Sequence, residues 1–214
     1  MINFIPIFPL NIVIYPGETL NLHIFEPRYK QLVKECMAEK KPFGIPSVNN
    51  KQLAEYGTLM EIVEMVKEYD NGEMDIRTKG LKVFKMLEHI KDIPEKLYTG
   101  AIVDYPYNNM AVDNSGIAKL IIDEVKRFYT LLSLEDKFSF LQNQVVSYDI
   151  AHFVGFTYEQ KYELLSIFNE IQRLEYIRRH LKNIVPVVKE LEDLKARIKM
   201  NGHFRDLSAS DLDI

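Results

Sequence analysis

Five histidines, one cysteine and a carboxylate–guanidinium pair are the residues of this chain best suited to chemistry, and their spacing argues against most of it. His23, His89, His152, His180 and His203 are scattered. None has the partner one helical turn away that a helical zinc site needs, so no metal is expected. Cys36 is the single cysteine, which excludes an internal disulfide and a cysteine-rich zinc site. Its neighbours Leu32, Val33 and Met37 put it on the apolar side of a helix, where a free thiol serves as a small hydrophobe. Glu26 and Arg28 flank Pro27 at a strand-to-helix corner, with Tyr29 next. They form either a charged site or a pair that pins the corner, because a carboxylate is favourable at a helix N-terminus without any ligand. Tyr98, Tyr105 and Tyr107 gather about Pro106 and offer amphipathic contact area, for a peptide or for covering a junction. No serine, cysteine or carboxylate sits in an ordered set with a base. The sequence has no Gly-x-x-x-x-Gly-Lys-Ser/Thr run to surround a nucleotide phosphate. No enzyme and no cofactor is expected.

At 214 residues, 47% hydrophobic and 27% charged, the chain has the balance of a soluble globular protein of one large or two modest domains. A formal charge of -4 gives no overall attraction for nucleic acid or an anionic membrane. Its apolar runs are too short to span a bilayer, and no basic-then-apolar leader opens the sequence; a cytoplasmic protein is expected.

The elements that would position these residues change type midway. The first half reads as about seven short strands. Phe8 to Tyr15 and Leu20 to Ile24 are expected to pair across the Pro16-Gly17 turn, the second by strict alternation of Leu20, Leu22 and Ile24 with Asn21 and His23. Asn71-Gly72 marks a hairpin, Gly80 a break between strands, and a last strand lies near Tyr98 to Tyr105. One helix interrupts them, opened by Pro27, closed by Lys40-Lys41-Pro42, with Tyr29, Leu32, Val33, Cys36 and Met37 on one face. After residue 107 the period becomes 3.6. Helices are expected over Ile117 to Leu132, from Ser133-Leu-Glu-Asp136, from a Ser147 cap to Gly155, and from the Thr157-Tyr-Glu-Gln160 capping box onward. The last carries an apolar stripe to about Asn201, is expected to kink or break near Pro186, and offers a surface for self-association. The division is 1–107 for the β-rich part, 108–205 for the bundle and 206–214 for a flexible tail.

Pro9-Leu10, Pro16-Gly17, Phe25-Glu-Pro-Arg-Tyr29, Gly57-Thr58 and Gly80-Leu-Lys-Val-Phe84 occur in the order in which similar motifs follow one another in the N-terminal substrate-recruitment domain of the Lon protease. Over residues 3 to 105 the chain resembles that family. The helical half resembles it too, through Gln160-Lys-Tyr-Glu-Leu-Leu165 and Gln172-Arg-Leu174. The resemblance implies an α+β protein: a PUA-like pseudo-barrel with one helix, then a helical bundle with a long last helix. The same module occurs in cereblon as part of an adaptor. A stand-alone recruiting domain is therefore expected, without the ATPase and protease modules. Its partner would be an unfolded or apolar polypeptide, or another protein it serves as adaptor. Glu26, Arg28, Tyr29, Tyr98, Tyr105 and Tyr107 are the candidate contacts. The alternative is RNA binding by the barrel face and the last helix, where residues 173–205 hold nine Lys/Arg against four Asp/Glu. The absence of interleaved aromatics to stack bases argues against it.

Overall fold

A computed structural model describes residues 2–49, 52–111, 116–134 and 146–207. The chain forms two compact units, Met1–Met110 with Phe156–Asn169, and Ala111–Gly155 with Glu170–Ile214. Segment 156–169, assigned by sequence to the bundle, thus belongs with the barrel.

In the first unit β1 (Asn3–Pro6), β2 (Thr19–Ile24), α1 (Pro27–Glu39), β3 (Phe43–Asn49), β4 (Gln52–Glu68), β5 (Met74–Ile90) and β6 (Gly100–Asp104) follow one another. All named strand pairs are antiparallel, in the order β1-β6-β5-β4-β3, with β2 also on β5. Past β1 the chain runs parallel to β3 through the bridges Ile7 to Gly44 and Leu10 to Ser47, which closes the sheet on itself. Ile5, Ile7, Leu59, Phe84, Ala101 and Val103 fill one core. A second core sits under α1, where Tyr29, Leu32, Val33 and Cys36 meet Phe8, Ile14, Ile24, Phe43 and Met60. That is the face expected from the sequence, apart from Met37, which is 37% exposed.

Two expectations about the strands need correction. Residues 8–15 do not form a hairpin with β2; β1 pairs with β6 and β2 with β5. Gly80 is no break either, because β5 runs through it. One edge of β5 pairs with β2 over residues 74–79 and with β6 over 85–90. Between them the Pro16-Gly17 turn docks: Gly17 N–H donates to the Gly80 carbonyl and Gly80 N–H to the Glu18 carbonyl, both at 2.8 Å. A Cβ on Gly80 would stand 2.5 Å from the Tyr15 carbonyl oxygen, so only glycine fits. The hairpin at 69–73 forms as expected, with Gly72 at φ 74°. Its Asn71 is not in the left-handed region and instead accepts the Glu73 N–H through Oδ1 at 3.1 Å.

The helices α2 (Ile117–Leu131), α3 (Ser147–Ala151), α4 (Tyr158–Leu165) and α5 (Glu170–Leu207) complete the chain. The helix expected from Ser133 lies outside the described residues beyond Leu134, as does the tail from residue 208. The Thr157 capping box forms, with Gln160 N–H to Thr157 Oγ1 at 3.3 Å and Thr157 N–H to Gln160 Oε1 at 3.0 Å. The helix it opens is short. Non-helical residues 166–169 separate α4 from α5, because α4 is tied to the first unit: Tyr15 donates to the Lys161 carbonyl and Tyr162 accepts the Tyr56 N–H, both at 3.1 Å. Conversely, α5 is helical straight through Pro186 with no break there. A proline removes one i to i−4 bond, here to the Lys182 carbonyl, which a surface helix can leave to water.

Ser147 is not the cap of α3. The N-cap position is Val146, whose N–H donates to the Asp149 carboxylate at 3.0 Å. Ser147 instead belongs to a buried ionic group. Its N–H and hydroxyl donate to Glu170 at 2.7 and 2.8 Å, and its oxygen accepts from Arg173 Nε at 2.8 Å. Arg173 also meets Glu170 at 2.7 Å and lies 4.3 Å from the Tyr148 ring centre. Arg173, 0% exposed, is therefore no part of a basic surface stripe.

At the end of the β4–β5 hairpin, His23 Nδ1 lies 2.7 Å from Asp75 and Nε2 3.4 Å from Glu73, while Tyr69 donates to Asp75 at 2.7 Å. The hydrogen bond to Asp75 raises the His23 pKa, and the bonds from His23 and then Tyr69 lower that of Asp75.

Replacing Arg173 by Met strands the buried Glu170 carboxylate, and denaturant titration should show a loss of about 3–5 kcal/mol. The raised His23 pKa means that its contribution is fully present below the ordinary histidine value and lost as pH rises through the folded one. For Asp75 the contribution is present above the ordinary aspartate value and lost as pH falls through the folded one. The stability difference between wild type and His23→Gln should therefore shrink over the range above the ordinary histidine value, about pH 6.5. A difference that grows over that range contradicts the assignment.

Candidate functional site

The candidate contacts fall in separate places. Arg28 pairs with Glu26 at 2.7 Å, which pins the corner before α1, and its guanidinium lies 4.5 Å from the Tyr29 ring centre. Tyr29 is buried against Phe8, ring centres 3.9 Å apart. Tyr98 is buried as well and donates to Glu35 at 2.5 Å. Burial pushes the Glu35 carboxyl up, but hydrogen bonds from Lys96, Tyr98 and Gln31 outweigh it and hold the group below its usual range. Tyr105 packs on the barrel core with Lys82 Nζ 3.7 Å from its ring centre. Tyr107 is the barest of the six, at 87% exposure, and Arg28 is exposed as well.

A different surface presents itself where α1 ends. Lys40 adopts the left-handed conformation at φ 53°, and its N–H and that of Lys41 return to the Met37 and Cys36 carbonyls at 3.3 and 2.9 Å. This cap reverses the chain through Pro42 into β3. Because β3 pairs with β4 only as far as Phe43 with Met60, residues 61–68 of β4 pair with β5 alone, and among the described residues no strand covers their other edge. Register shifts mark Val63 and Val66 as the extra residues of two bulges, and Leu81 as another on β5. All three are turned out, at 56%, 49% and 40% exposure. The result is a groove of about 400 Å³ floored by Cys36, Met37 and Pro42 and walled by Ile62, Val63, Met65 and Leu81.

Its rim is charged with both signs, Lys40 and Lys41 against Glu61 and Glu64. Lys41 is held by Glu39 at 2.6 Å, and Glu64 by Arg77 at 2.6 Å. A smaller concavity of about 290 Å³ shares Cys36 and Lys41 and is bounded by Phe4, Pro6, Glu35, Lys96 and Tyr98. Neither supplies a nucleophile: burial pushes the Cys36 thiol up to about 12, so it stays protonated. Among the described residues no group of three His, Cys, Asp or Glu is placed to hold a metal ion. The groove can offer shape, apolar contact and free strand backbone.

The groove residues were missed by the sequence reading, although a signal was present. Ile62-Val63 and Met65-Val66 are apolar doublets three residues apart, a spacing that fits neither strand alternation nor a helix face. Two bulges produce it, each adding an outward residue beside an inward one.

The sequence matches the family model of the ATP-dependent protease La (LON) substrate-binding domain over residues 5–183. Cereblon from Gallus gallus is 29% identical over 89 residues, 39% of this chain and 20% of that protein, so the match spans about a fifth of the relative's length. The Lon N-terminal domain protein from Xanthomonas campestris shares the fold at TM-score 0.64 and 23% identity, covering 83% of this chain and 98% of that one. The N-terminal domain of Mycobacterium avium complex Lon protease does so at TM-score 0.58 and 14% identity, with coverages of 85% and 99%. Among the described residues no helix is long and apolar enough to cross a membrane. With the family model covering most of the sequence, residues 5–183, the chain belongs to the LON substrate-binding domain family.

Proposed function

We propose that this chain recruits polypeptide segments that expose apolar side chains, that it does so without catalysis and in the cytoplasm, and that the groove between the end of α1 and β4 is where they bind. The observation that carries the proposal is the coincidence of an uncovered strand edge with outward Met37, Val63 and Leu81. A guest lying along β4 would gain apolar burial worth about 25 cal/mol per Å² and a few backbone hydrogen bonds. The bulges at Val63 and Val66 interrupt any long ladder, which suits short, sequence-tolerant contacts better than a fixed register. Mixed rim charge gives no preference for acidic or basic guests.

The same geometry weighs against RNA. Several cations of α5 are already matched: Arg178 and Arg179 bond to Glu175 at 2.7 and 3.1 Å, and Lys195 to Glu192 at 2.7 Å. With Arg173 buried, the basic excess of residues 173–205 is smaller at the surface than in the sequence. Whether the bound polypeptide is passed on for degradation or held as an adaptor's partner depends on the second protein. The recognition step is the same in both cases.

Fluorescence anisotropy with a labelled, permanently unfolded polypeptide tests the proposal. Val63→Asp and Leu81→Asp should each weaken binding at least about tenfold, because a charge is set in the groove while the core stays intact. Tyr107→Ala should leave it unchanged. Unaltered affinity in both groove variants, or binding of RNA with a steep salt dependence in place of polypeptide, would overturn it.

A further inference from the structure

The apolar face of α5 is used differently by its two halves. Near the start, Leu174, Ile177 and Leu181 are fully buried within the helical unit. Further along, Val187, Leu191, Leu194 and Ile198 stand 53%, 52%, 52% and 62% exposed. Together with the half-buried Ile184 they occupy positions 184, 187, 191, 194 and 198. Steps of three and four in strict alternation are the a and d positions of a heptad, the seam along which two helices pack knobs into holes. The alternation stops in the sequence at Asn201-Gly202. The seam is therefore about 21 Å long at 1.5 Å per residue.

Pro186 fits this plan. It occupies heptad position c and the carbonyl it leaves without an N–H, that of Lys182, occupies f, so both lie away from the seam. A proline at a or d would set its distortion against the partner helix.

We propose that a second copy of this chain covers the seam and that the distal half of α5 is a homodimeric coiled coil. The flanking charges choose the occupant. Val188 and Lys195 fall at e, Glu190 and Arg197 at g. In a parallel pair Glu190 faces the partner's Lys195; in an antiparallel pair it faces the partner's Arg197. Either way a two-fold axis repeats the contact, and no like charges meet. A seam complementary to itself in both orientations fits a second copy better than an unrelated helix. At little more than two heptads the association is weak and concentration-dependent. It is independent of the groove on the first unit.

Sedimentation of the full chain over a wide concentration range tests this. The mass should climb from that of one chain, 25.1 kDa, toward twice that value. Leu191→Glu with Leu194→Glu should hold it at one chain, with unchanged circular dichroism because both side chains are exposed. Glu190→Lys should weaken dimerisation at least about tenfold, and adding Lys195→Glu and Arg197→Glu should restore it. A wild-type chain that stays monomeric throughout, or a dimer that persists in the Leu191→Glu/Leu194→Glu chain, overturns the proposal.

Discussion

Two backbone hydrogen bonds between the Pro16-Gly17 turn and Gly80 are the joint on which the first unit depends. Strand β5 is 17 residues long and serves β4 on one edge over most of its length. On its other edge β2 and β6 each cover only part, and unpaired backbone left between them in the interior would be costly. The turn fills that place, and the Thr58 hydroxyl donates to the Ile14 carbonyl at 2.5 Å beside it. With the joint made, the same strand can hold the hairpin arm at one end and the closed barrel at the other.

The groove follows from this division. β5 carries β4 well past the end of β3, which has 7 residues to β4's 17. The overhang leaves a strand edge next to the end of α1. A flat, apolar edge would template aggregation. Here two bulges and the carboxylates of Glu61, Glu64 and Glu68 break it up, while Val63 and Leu81 remain available. The surface is thus open to a guest chain yet poorly suited to pair with copies of itself. In the helical unit the order comes from a different source, the buried Ser147, Glu170 and Arg173 group, which ties α3 to the start of α5.

What was legible in the sequence was local. The α1 stripe, Met37 apart, the alternation of β2 and the Thr157 box each depend on neighbours within a few residues, and each agrees with the structure. Long-range partners were not legible. Gly80 looked like a punctuation mark because nothing near it says that Tyr15 will lie against it. The apolar period ran on through residues 166–169, since Leu164, Phe168 and Ile171 keep the spacing of one helix although two units share them out. Pro186 seemed a better place to break than it is, because propensity alone ignores which side of the helix loses its bond. The family motifs themselves proved to be joints: Gly80 admits the turn, Glu26 and Arg28 hold a corner, and Tyr29 fills the core. The proposed recruiting surface lies beside them, at the bulged doublets of β4.

Amide hydrogen exchange of the full chain, with and without a saturating unfolded polypeptide, bears most directly on the claim that the groove is the recruiting surface. Slowed exchange confined to residues 61–66 of β4 and residues 36–41 at the end of α1, with residues 105–110 and 184–198 unchanged, is the predicted result. Protection that appears on the distal half of α5 or around Tyr107 and leaves β4 untouched would contradict it.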